Sequence, residues 1–184
     1  MRRVPGYGTL RCVNELAITV VGRDRPGIVA DVSGVLASLG LNLTDSSMTL
    51  LRGHFAMTLI CVGEPGTEQV EEALAPLTAD GNLIATVRVV PPDIAVAGPG
   101  TPFTLIVHGA DRLGIVASVT AVLARWGGNI TDLTTRLSGS LYLLSAEVDL
   151  PPNVDTEELM AELDEVAERL GVDVTLRTAE ADVL

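Results

Sequence analysis

The chain repeats itself without a gap. Every residue from Asp24 to Asp45 pairs with one from Asp111 to Asp132 at a constant offset of 87, and 14 of those 22 pairs are identical. A match of that length at one offset marks an internal duplication, so both copies must share one fold. The offset also sets the scale: the 184 residues divide into two similar units rather than one large domain.

Within each copy the hydrophobic period sets the order of elements. Leu16 to Val21 is apolar and β-branched, a strand, and the charges, proline and glycines of 22–27 break it. Ile28, Val29, Val32, Val35, Leu36 and Leu39 then line one helical face, which ends at Gly40. Leu41–Leu51 and Phe55–Val62 read as a hairpin around Arg52-Gly53-His54. A second helix over Thr67–Thr78 sets Val70, Ala73, Leu74 and Leu77 inward, and Pro76 is expected to shorten or break its last turn. Leu83–Val90 closes the unit, with Ala85, Val87 and Val89 on one side and Thr86 and Arg88 on the other.

The second copy runs in the same order. Phe103–Val107 is its first strand, and Ile115, Val116, Val119, Val122, Leu123 and Trp126 form the helix face. Ile130–Leu137 and Leu141–Val148 make the hairpin around Ser138-Gly139-Ser140. A capping box of Asp155 and Glu158 opens a helix running to Leu170, and Val172, Val174 and Leu176 end the unit as a strand. Pro91-Pro92 and Gly98-Pro99-Gly100-Thr101-Pro102 interrupt the periods, which assigns 1–15 to a tail, 16–91 and 103–178 to the two units, 92–102 to a linker and 179–184 to a second tail. The order β-α-β-β-α-β predicts an α+β fold, two ferredoxin-like units whose antiparallel sheets carry both helices on one face.

Charge and composition exclude several functions. The net charge is −12, lysine is absent and the 12 arginines are scattered, which opposes binding to a polyanion such as nucleic acid. Twelve of the 24 acidic residues lie between Glu147 and Asp182, a solvated acidic face or a surface for a basic partner. Cys12 and Cys61 are too few for a disulfide framework or a zinc site and read as buried free thiols. No stretch has the length or apolarity of a signal peptide or membrane span, so a cytoplasmic protein is expected. Catalysis finds no support: His54 sits in a turn without a nucleophile motif, His108 reads as a strand residue, Ser46, Ser47 and Ser138 lack an elbow, and a phosphate-binding loop would need lysine. Neither a metal nor a cofactor is expected.

Chemistry is best placed in the loop before each first helix. Glycine lets the backbone approach a ligand, and helix N-terminal amides suit a carboxylate. Asp24 offers an acceptor for an ammonium group, and the amide of Asn42 suits either end of an amino acid. The same residues have folding roles: Asp caps, Pro presets φ and Gly turns the chain.

Asp-Arg-Pro-Gly-Ile after a strand, with Asn42 and Asn129 in Gly-x-Asn-(Leu/Ile) fifteen residues past the loop glycine, resembles the ACT domain, which binds amino acids in many proteins. Two such units, the first opening with Gly22-Arg23-Asp24-Arg25-Pro26-Gly27-Ile28-Val29, are most similar to tandem ACT proteins related to the glycine cleavage system transcriptional repressor. The resemblance implies a ligand held between two modules, by the loop of one and the asparagine of its neighbour. Its residues here would be Asp24, Arg25, Pro26, Gly27 and Ile28 with Asn42, and Asp111, Arg112, Gly114 and Ile115 with Asn129. Some serine-binding members carry a histidine where this chain has Gly22 and Gly109; His108 is one residue away and faces the other side. Leu113 replaces proline and is expected to loosen the second loop. The implied function is a small amino-acid-binding regulator acting through protein contacts, in transcriptional control of amino-acid or glycine metabolism. Its partner would be a transcription factor or an enzyme, and the protein a homo-oligomer. A non-catalytic regulatory subunit, or an interaction module that has lost its ligand, are the alternatives.

Overall fold

The computed structural model describes residues 13–91 and 100–179. The expectations for Cys12, for most of the N-terminal tail, for the stretch 92–99 and for 180–184 fall outside the described residues. The chain divides into two compact units on either side of that middle stretch. The first contains β1 (Asn14–Arg23), α1 (Ile28–Ser38), β2 (Asn42–Leu51), β3 (His54–Gly63), α2 (Thr67–Thr78) and β4 (Leu83–Val89). The second contains β5 (Thr101–Ala110), α3 (Ile115–Arg125), β6 (Asn129–Ser138), β7 (Leu141–Leu150), α4 (Thr156–Leu170) and β8 (Val172–Thr178). From β1/β5 through β3/β7 the boundaries keep the offset of 87 residue for residue; beyond that α4 has 15 residues against 12 in α2.

Each unit is a four-stranded antiparallel sheet, ordered β2-β3-β1-β4 and β6-β7-β5-β8. Alternation puts Leu16, Ile18 and Val20 of β1 and Phe55, Met57, Leu59 and Cys61 of β3 on one face. Ile28, Val32 and Leu36 of α1, with Val70 and Leu74 of α2, close over them as one core. The second unit has its own core, built from Leu105, Val107, Val119, Leu123, Leu144, Leu159 and their neighbours. The opposite sheet face carries Thr19, Thr58 and Thr86 outward. In both units the second strand is bulged at one threonine, Thr44 or Thr131, whose hydroxyl donates to the carbonyl of Ile60 or Glu147 at 3.2 and 3.4 Å.

The two cores fill one equivalent space in opposite ways. In the first unit buried Leu41 occupies it, and a Cβ at Gly63 would lie 2.8 Å from Leu41 Cδ2. In the second, the positions are exchanged: Gly128 stands for Leu41 and Leu150 for Gly63, and a Cβ at Gly128 would lie 3.0 Å from Leu150 Cδ2. One leucine fits, from either strand, because packing at this density leaves no room for two.

Several local expectations change. Pro76 does not break α2, which continues to Thr78. Both Pro76 and Glu72, the residue whose carbonyl loses its donor, are on the exposed side of the helix. Val89 shares the face of Val87 and stands opposite Leu16, yet it is exposed where Val87 is buried. Asp155 caps α4 as expected, accepting from the amides of Glu157 and Glu158 at 3.0 and 3.1 Å. Among the described residues the return bond from the Glu158 side chain is not formed, so the cap works in one direction only. β5 starts at Thr101, and the carbonyl of Pro102 accepts from the amide of Ala179 at 2.9 Å.

Candidate ligand-binding site

The loop after the first strand builds the same device in both units. Gly27 and Gly114 are the N-terminal caps of α1 and α3, at φ 91°, ψ −6° and φ 92°, ψ 5°, a left-handed conformation that side chains strain to adopt. Their carbonyls accept from Asp31 and Ser118 at 2.9 Å, starting the helices. Asp24 does not cap α1, against expectation: the cap position belongs to Gly27 and no side chain hydrogen-bonds the helix start in either unit. The first-turn amides therefore stay open toward the loop. Leu113 leaves this geometry intact; it is fully exposed, and the two loop glycines match within a few degrees in φ.

Above each loop glycine lies an open cavity. In the first unit it measures about 430 Å³ and is lined by Asp24, Arg25, Gly27, Ile28, Val29, Ala30, Met48 and Phe55. In the second it measures about 630 Å³, with Asp111 to Ala117 along one side and Tyr142 on the other. Ile28 and Ile115 bury their side chains in the cores and present backbone to the cavities. Phe55, Met48 and Tyr142 come from the hairpin strands and were not anticipated from the loop motif. The offset of 87 still links Phe55 to Tyr142 and would have exposed the pair, had the repeat been followed beyond Asp45.

The charges differ between the copies. The Arg25 guanidinium pairs with Asp31 at 2.8 Å and donates to the carbonyl of Pro26 at 3.3 Å. In the second unit Asp31 is replaced by Ser118, and among the described residues Arg112 makes no ion pair. The first strands carry glycine one residue before their ends, and at Gly22 the reason is steric: a Cβ there would lie 2.0 Å from the carbonyl oxygen of Asn82, so a histidine cannot stand there. His108 lies on the open sheet face, 3.5 Å from Asp173.

The two asparagines stand apart from the loops of their own units. Arg23 pairs with His54 at one end of β3 and Asn42 with Val62 near the other, eight residues away along the strand, or about 27 Å. Asn129 opposite Asp149 and Ala110 opposite Leu141 repeat that separation. Loop and asparagine of one unit therefore cannot grip one small molecule. Cys61 is buried beneath the sheet, and burial pushes its thiol pKa up, which makes it a poor nucleophile. Among the described residues no cluster suits a metal ion and no helix is long and apolar enough to cross a membrane.

Two ferredoxin-like units in tandem, each with a helix starting at a left-handed glycine beside a cavity, define a duplicated α+β protein. The chain belongs to the ACT domain family, whose model matches residues 14–87 and again 102–177. It is 41% identical over 64 residues to a UPF0237 protein of Listeria innocua, covering 35% of this chain and 72% of that one, about one unit. A protein of unknown function from Galdieria sulphuraria shares the two-unit arrangement, with a TM-score of 0.77 and 30% identity over 91% of this chain and 99% of that chain. A protein provisionally described as a glycine cleavage system transcriptional repressor matches at a TM-score of 0.64 and 22% identity, over 91% of this chain and 98% of that chain. At that identity the likeness is one of fold.

Proposed function

We propose that this protein is a non-catalytic regulator that binds a small amino acid at its loop cavities and signals through contacts with another protein. The observation that carries the reading is the pair of helix starts at Gly27 and Gly114 without a side-chain cap, each with an aspartate in the lining of the cavity it borders. Open amides suit the ligand carboxylate, and Asp24 or Asp111 suits its ammonium. Because Asn42 and Asn129 lie at the far ends of their own sheets, each would complete the site of a neighbouring module, which ties ligand binding to association. Binding then shifts the protein between assemblies that hold the ligand unequally.

The strongly acidic chain opposes direct contact with nucleic acid, so a role in transcriptional control of amino-acid metabolism would run through a protein partner. Thermal unfolding of the whole chain against each of the twenty amino acids tests the reading. A ligand at a hundred times its dissociation constant adds about 2.7 kcal/mol and raises the melting temperature by several degrees. Twenty unchanged melting curves would exclude amino-acid sensing.

A further inference from the structure

We infer that the two cavities select different ligands, the second preferring an amino acid with a carboxylate in its side chain; this rests on the amino-acid-binding reading above. The duplication supplies the comparison, because the backbone of loop and helix start is the same in both units while the charged and polar groups around it are not. The first cavity is lined by Asp24 and Arg25, and Asp31, which lies outside the lining, holds the Arg25 guanidinium at 2.8 Å. Around the second, Asp111 alone stands against Arg112, because Ser118 takes the place of Asp31 and α3 has no acidic residue in its first turn.

The consequence is that the guanidinium on the first cavity is already paired with an aspartate while the one on the second is left available to a ligand. With Asp111 taking the ammonium, Arg112 is free to bind a carboxylate through two parallel hydrogen bonds, the pairing for which its planar fork is suited. The walls vary in the same direction. Phe55 and Met48 give the first cavity an apolar side, and Met48 is half exposed. Tyr142 brings a phenolic hydroxyl to the second cavity at the Phe55 position, and the Met48 position is Thr135. A second carboxylate in the first cavity would meet an apolar wall and a guanidinium already paired with Asp31; in the second it meets the guanidinium of Arg112 and Tyr142. The first cavity is left to a neutral amino acid with an apolar side chain.

The test is an exchange of the discriminating residue, read by the backbone amide signals of Gly27 and Gly114 in the full-length protein during titration with L-aspartate and L-valine. L-Aspartate should bind at Gly114 about tenfold more tightly than at Gly27, the value of one charge-assisted hydrogen bond at a solvated site. Ser118→Asp should weaken that binding about tenfold, as should Arg112→Gln, while the L-valine response at Gly27 stays unchanged. Asp31→Ser should strengthen L-aspartate binding at Gly27. Ser118→Asp places in α3 a residue that α1 already carries, so a folded protein is expected. Equal affinity of L-aspartate at the two glycines, or indifference to both exchanges, overturns the division of ligands and leaves amino-acid binding standing. Silence of both glycines toward every amino acid overturns both.

Discussion

Gly22, Gly27 and Asp80 show three reasons for a residue that the motif alone does not separate. Gly27 is needed for its backbone, at φ 91°, so Gly27→Val should cost about 1–3 kcal/mol of stability and abolish any shift of the melting temperature by ligand. A retained shift would place the ligand elsewhere. Gly22 is needed for space, with the carbonyl of Asn82 where a side chain would be, and Gly22→Ala should destabilise the first unit by about 2–4 kcal/mol in urea unfolding. Asp80 holds that carbonyl in place: its carboxylate accepts from the backbone amide and the side-chain amide of Asn82 at 2.9 and 2.8 Å, and Asn82 accepts from the amide of Arg23 at 2.9 Å. The side-chain bond from Asn82, then the backbone bond, hold the Asp80 pKa below its ordinary 3.8. A depressed carboxylate stabilises the fold above its unfolded pKa and loses that contribution as pH falls through the lower folded value. Wild type and Asp80→Ala should therefore differ in urea midpoint at neutral pH, and the difference should shrink as pH falls below 3.8.

At the level of elements, the exchange of Leu41 and Gly63 for Gly128 and Leu150 makes the packing testable without new chemistry. Leu41→Gly should cost about 3–5 kcal/mol through the cavity it leaves, and Gly63→Leu about 1–3 kcal/mol through overpacking. The double exchange should recover most of both losses, a coupling measurable in a double-mutant cycle; additive losses would show that the two sites do not share the space. The helices carry a parallel lesson. Pro76 reads as a breaker in one dimension, yet the bond it removes lies on the wet side of α2, so the helix keeps its last turn. Asp24 reads as a cap, yet the chain turns at Gly27 instead. Both differences arise where a propensity is averaged over contexts and the tertiary setting selects one.

For the whole molecule, two cores that share no residue imply that damage stays local. Leu105 is completely buried in the second core, and Leu105→Ala should remove about 2–5 kcal/mol there. Hydrogen exchange should then quicken across β5, β7 and β8 while the protection of β1, β3 and β4 holds; equal loss in both units would show that they unfold as one.

The amino-acid sequence by itself determined the duplication, the order of elements, the sidedness of each helix and the loop that opens on α1 and α3. Those features are written in spacings of two, three and four residues, or in a repeat at constant offset, and such signals are local in the chain. Tertiary structure alone decided what converges on each loop. It brought Phe55 and Met48, or Tyr142, to the cavity wall from the hairpin, tied Arg25 to Asp31 while leaving Arg112 open, and carried Asn42 and Asn129 to the far end of their sheets. Those relations depend on strand register and on the return path of a helix, which bring together residues tens of positions apart and separate others that the motif places side by side.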